Sequence, residues 1–73
     1  MRVNFKYGIG DTIRVKDGLV KLPHRDAKKE DWKTVRVVQC VYDGERAYEC
    51  ISAVPRECYC DYDTVYHYED AFE

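Results

Sequence analysis

Four cysteines, Cys40, Cys50, Cys58 and Cys60, lie between positions 40 and 60 of a 73-residue chain, and none lies elsewhere. Four thiolates close a tetrahedron around zinc, with Zn–S of about 2.3 Å and no open position for reaction, so the chemistry implied is structural. The intervals, Cys40-x9-Cys50-x7-Cys58-x-Cys60, lack the paired C-x-x-C knuckles of common zinc ribbons. On an extended strand, residues i and i+2 share a face, so Cys58 and Cys60 can present both thiolates to one ion while Tyr59 points away. His67, near the end of the cysteine-bearing half, offers a substitute ligand, and His24, beside Pro23 in a remote polar stretch, offers another. The same thiols also suit two disulfides, or a core that uses them as small hydrophobes.

Compartment separates the first two options. The opening Met1-Arg2-Val3-Asn4-Phe5-Lys6-Tyr7-Gly8 has no apolar run of signal-peptide length, and no segment approaches the ~18 apolar residues of a membrane span. A cytoplasmic chain follows as the expectation. Cytosolic thiols are kept reduced, which favours a metal over disulfides. Size gives the thiols a purpose, because below about 70–80 residues a single core seldom supplies more than ~3–5 kcal/mol and small scaffolds add a staple.

The elements that must position these ligands read as short strands. Cys40 and Cys50 flank Asp43-Gly44, a hairpin turn between two runs of β-formers, Thr34 to Tyr42 and Ala47 to Val54. Parity of the loop decides the site. A two-residue turn pairs Cys40 with Ala47 and leaves Cys50 on the opposite face, whereas a three- or five-residue loop, or a bulge, puts both cysteines on one face. Upstream, Asp11-Thr12-Ile13-Arg14-Val15-Lys16 alternates as a strand with Ile13 and Val15 toward the core. Leu19 to Asp31 reads as a long polar loop with one helical turn before Trp32. Further strands are expected at about 33–42, 46–54, 57–60 and 64–67. The expected fold is a single mainly β domain over residues 1–73, a small five-stranded, strongly bent barrel with one long loop, stapled by zinc and monomeric.

Gly10-Asp11-Thr12-Ile13-Arg14-Val15-Lys16, the central Thr34-Val35-Arg36-Val37-Val38 and the closing Tyr66-His67-Tyr68-Glu69-Asp70-Ala71-Phe72-Glu73 resemble small phage and mobile-element proteins with Src-homology-3-like barrels. The long loop and the four cysteines depart from that plain barrel pattern, so the resemblance implies only the fold. In size and charge layout the chain is also similar to phage anti-CRISPR proteins. Such proteins are often small, acidic and catalytically inactive, and they occlude or lock a CRISPR effector nuclease through its basic surfaces.

Charge is distributed unevenly. All 12 Lys and Arg fall within residues 1–56, whereas residues 57–73 contain Glu57, Asp61, Asp63, Glu69, Asp70 and Glu73 and no basic residue. Tyr59, Tyr62, Tyr66 and Tyr68 interleave with those acids. Tyrosine is enriched at protein interfaces, and an acidic patch steers toward basic partners. Tyr59, Asp61, Tyr62, Asp63, Tyr66, Tyr68, Glu69 and Asp70 are therefore the candidate docking residues for a basic protein surface. The plainer expectation divides the tyrosines between core and surface and leaves the acids to solvate a half-buried strand.

A second functional class uses the basic half. Arg25, Lys28, Lys29 and Lys33 could contact phosphate and Trp32 could stack a base, although Asp26, Glu30 and Asp31 interrupt the patch and the formal net charge is −2. An enzyme is not expected, since no nucleophile and base or open metal position stands out. Asp61-x-Asp63 lacks the glycine and distal glutamate of a calcium loop.

Overall fold

The computed structural model describes residues 4–54 and 63–73. Four strands, β1 (Thr12–Arg14), β2 (Thr34–Tyr42), β3 (Arg46–Ser52) and β4 (Val65–Tyr68), form one antiparallel sheet in the order β1-β2-β3-β4. The mainly β expectation holds. Only the four-stranded open sheet is present among the described residues; the strand expected at 57–60 lies outside them. The helical turn anticipated before Trp32 is a 3-10 turn at Lys29–Trp32, with others at Asp17–Leu19 and Glu69–Ala71.

The connection between β2 and β3 is a three-residue loop, because Tyr42 pairs with Arg46 across Asp43, Gly44 and Glu45. Gly44 supplies the positive φ, 93°, that such a loop requires and that side-chain-bearing residues seldom adopt. The odd count sets Cys40 opposite Tyr48, so Cys50, two residues further along β3, shares its face. Register shifts between Val37 and Gln39, leaving Val38 as a bulge. Without that extra residue Val37 and Cys40 would point to opposite sides. With it, Val35, Val37 and Cys40 all face inward.

This inner face carries the core: Ile13, Val15, Trp32, Val35, Val37, Tyr48, Cys50, Val65 and Phe72. Tyr48 is its centre. Its ring meets Phe5, Tyr7 and Phe72 edge to face at centroid separations of 5.7, 5.5 and 5.6 Å. Such contacts add about 0.5–1.5 kcal/mol each beyond area burial. The long loop folds onto the sheet through buried Trp32 and through the Ser52 hydroxyl, which donates to the Asp31 carbonyl. After β4 the chain returns to β1. There Val15 and Phe72 form an isolated antiparallel bridge, flanked by Lys16 N–H to Ala71 O at 2.7 Å and Glu73 N–H to Arg14 O at 2.9 Å.

Candidate functional site

β4 has two chemically different faces. Val65 and His67 point inward and are buried, while Tyr66 and Tyr68 point outward and are 52% and 42% exposed. On the outer face Tyr66 lies opposite Glu49 and Tyr68 opposite Ala47. The Tyr66 hydroxyl donates to Glu49 Oε1 at 3.0 Å, which raises its pKa by stabilising the protonated phenol. Of the four tyrosines expected to divide between core and surface, Tyr66 and Tyr68 both face outward, while Tyr59 and Tyr62 lie outside the described residues.

The acids expected to dock a partner serve different ends. Glu69 accepts the Tyr48 hydroxyl at 2.8 Å and the Lys6 amide at 3.2 Å, and Arg46 stands 3.8 Å away. The bond from Tyr48 is the main reason its pKa is lowered. Glu69 therefore ties the N-terminal segment and the core tyrosine to the end of β4. Asp63 pairs with His24 Nε2 at 3.0 Å, so the histidine that looked remote in sequence neighbours the acidic half. Asp70 is exposed and enters no ion pair among the described residues. Tyr59, Asp61 and Tyr62 lie outside the described residues.

Tyr42, Gly44, Glu45, Arg46, Tyr68, Glu69 and Asp70 line a groove of about 390 Å3 between the hairpin tip and the last 3-10 turn. Tyr42, Glu45 and Arg46 were not among the residues singled out from sequence. The available signal was loop parity: with Cys40 inward, Tyr42 falls at the rim beside the end of β4.

Of the four proposed metal ligands, Cys58 and Cys60 lie outside the described residues. Cys40 and Cys50 share the inner face, as the zinc expectation required. Cys50 is fully buried and Cys40 only partly so. The Cys40 thiol donates to Tyr7 O at 3.6 Å, and the fully buried Cys50 thiol to Tyr48 O at 3.5 Å. Burial, with the nearby Cys40 and Glu49 adding to it, pushes Cys50 up to about 12, and burial also raises Cys40. Among the described residues no group of three or more His, Cys, Asp or Glu is placed to hold a metal. His67, the substitute ligand, is 1% exposed, and neither ring nitrogen has a hydrogen-bond partner among the described residues. Its ring lies 5.6 Å from that of Phe72. Burial, and secondarily the Lys21 charge, lower its pKa to about 4, so it is neutral at pH 7.

The nucleic-acid expectation requires correction at its aromatic residue. Trp32 is 4% exposed and belongs to the core, where no base can stack on it. Two of its basic neighbours are engaged, Lys29 with Asp17 at 3.7 Å and Lys33 with Glu30 at 3.0 Å. Among the described residues no helix is long and apolar enough to cross a membrane. Comparison with protein-family models, curated proteins and solved structures finds no match to this chain.

Proposed function

We propose that this protein is a stoichiometric, non-catalytic inhibitor of a bacterial defence nuclease, of the anti-CRISPR type, that docks on a basic protein surface in the cytoplasm. The observation that carries this reading is the outward projection of Tyr66 and Tyr68 beside the acids at the end of β4. Exposed tyrosines offer broad amphipathic contact at little entropic cost, and surrounding carboxylates favour a Lys- and Arg-rich partner. Size and charge layout supply the analogy to anti-CRISPR proteins. Burial of Trp32 removes the main support for the competing nucleic-acid reading.

The same reading gives the chain a structural zinc on Cys40, Cys50, Cys58 and Cys60 and a barrel-like closure. The shared face of Cys40 and Cys50 supports the first, and the Val15–Phe72 bridge supports the second. Native mass spectrometry before and after a strong chelator tests the metal; one zinc per chain is expected, and metal-free protein with unchanged circular dichroism overturns it.

The docking test is DNA cleavage by a panel of purified CRISPR effector nucleases titrated with the chain. Inhibition of one nuclease at stoichiometric amounts is expected, and the Asp63→Lys/Asp70→Lys variant should lose it while retaining its circular dichroism. Absence of binding across the panel, or unchanged affinity of that variant for an inhibited nuclease, defeats the proposal.

A further inference from the structure

The groove between the hairpin tip and the end of β4 has a composition that selects one kind of occupant. Tyr42 and Tyr68, both substantially exposed, border it, and its carboxylates are Glu45, Glu69 and Asp70 against the single cation Arg46. Among the described residues that line it, three acids and one base leave a local charge of −2. Glu69 is committed to Tyr48, Lys6 and Arg46, whereas Glu45 and Asp70 enter no ion pair among the described residues. Two carboxylates without a cation, beside two exposed phenol rings, match a planar cation that can stack on an aromatic face and donate several N–H groups at once. Guanidinium meets both demands, while an ammonium group is a point charge with a tighter hydration shell. Arg46, 3.8 Å from Glu69, already places one guanidinium at the groove wall.

We infer that this groove is a receptor for an arginine side chain presented by a protein partner, seated against Tyr42 and Tyr68 with Glu45 and Asp70 as its counter-charges. The inference rests on the proposed docking of basic protein at the acidic end of β4, and it names the anchor that such a partner inserts. Arginine is a frequent energetic centre of protein interfaces, so one filled groove can govern residence time while the surrounding charges govern approach.

Its test uses the whole chain and a minimal probe. Isotope-labelled protein is titrated with N-acetyl-arginine-N-methylamide, and in parallel with the citrulline analogue, which keeps the shape and loses the charge. The arginine probe should shift the amide signals of Gly44, Glu45, Tyr68 and Asp70 saturably at low salt, with citrulline about tenfold weaker, a loss in the range of one cation–π contact with its counter-charges. Glu45→Gln/Asp70→Asn should reduce the difference while leaving signals elsewhere in place. Tyr68→Phe, which keeps the ring, should bind as the parent does. Equal response to both probes, response confined to other residues, or no response to arginine overturns the assignment. Nuclease inhibition persisting in Glu45→Gln/Asp70→Asn would leave docking intact and remove only the arginine groove. A groove that binds arginine in a protein that inhibits nothing would do the reverse.

Discussion

The two faces of the β3–β4 pair hold similar residue types under opposite physical conditions. Inside, Tyr48, Cys50 and His67 lie in a buried layer where the thiol is driven toward its protonated form and the imidazole toward its neutral form. Outside, Tyr66 and Tyr68 stand in solvent beside Glu49 and Asp70. A tyrosine on the first face fixes the fold, whereas one on the second is free to meet a partner. Side-chain chemistry alone does not distinguish the two roles; the strand's two-residue period and loop parity do.

Substitution at the centre of the inner face should break this contrast most severely. Tyr48→Ala removes three ring contacts and the hydroxyl shared by Lys6, Tyr7 and Glu69, at a cost of about 3–5 kcal/mol. A chain of this size has little more than that in reserve. Loss of the cooperative transition in urea is expected, and a midpoint within error of the parent would show that the core is centred elsewhere.

Acid acts on the same face through His67. Its folded pKa, about 4, lies below the ordinary 6.5, so the unfolded chain binds the extra proton first. Stability is therefore complete above pH 6.5, falls as pH drops from 6.5 toward 4, and levels off below that, for a total of about 3 kcal/mol. His67→Phe should flatten this part of the profile, as denaturant midpoints from pH 7 to 4 would reveal. An unchanged slope would remove His67 as its cause; Glu69, whose lowered pKa confines its loss to the range below its ordinary 4.5, cannot supply it.

Cys50→Ser probes the thiol as a packing group. Burying a hydroxyl where a thiol sat should cost about 1–3 kcal/mol by thermal unfolding of the metal-free protein. If Cys50 ligates zinc as proposed, protein loaded with zinc should lose more; equal losses with and without zinc would exclude Cys50 as a ligand.

The smallest effect on stability is expected outside. Tyr66→Ala should change stability by less than about 0.5 kcal/mol, since its ring is half in water and its hydroxyl bond to Glu49 is exposed. The same variant should weaken partner binding by at least about 1 kcal/mol if the outer face docks. A large stability loss instead would make Tyr66 a structural residue and collapse the distinction between the faces.

Much of the frame was legible in the chain. The β2–β3 hairpin, the inward Ile13 and Val15, the turn before Trp32 and a last strand, expected at 64–67 and found at Val65–Tyr68, follow from alternation and from Asp43-Gly44, signals that act over a few residues. The site was legible only in part. Exposure of Tyr66 and Tyr68 fits the alternation of β4, but the roles of Glu69 and Asp63 depend on Tyr48 and His24, partners 21 and 39 positions away in the chain. Trp32 was misassigned to a possible binding role because a tryptophan among lysines looks the same from sequence whether its ring points to solvent or to a core.

Composition and local pattern determined that this chain is mainly β, ends in a stretch, residues 57–73, with six acids and no Lys or Arg, and sets Cys40 and Cys50 on the two strands of one hairpin. Tertiary structure decided which of those residues are withdrawn from water. A three-residue loop and the single bulged residue Val38 set the parity that turns Cys40 and Cys50 inward together, and packing around Tyr48 converts Glu69 from a surface charge into an anchor. The reason is geometric: in a strand a shift of one residue exchanges the two faces, and that shift is fixed by how the whole sheet packs on its core rather than by any residue's own preference.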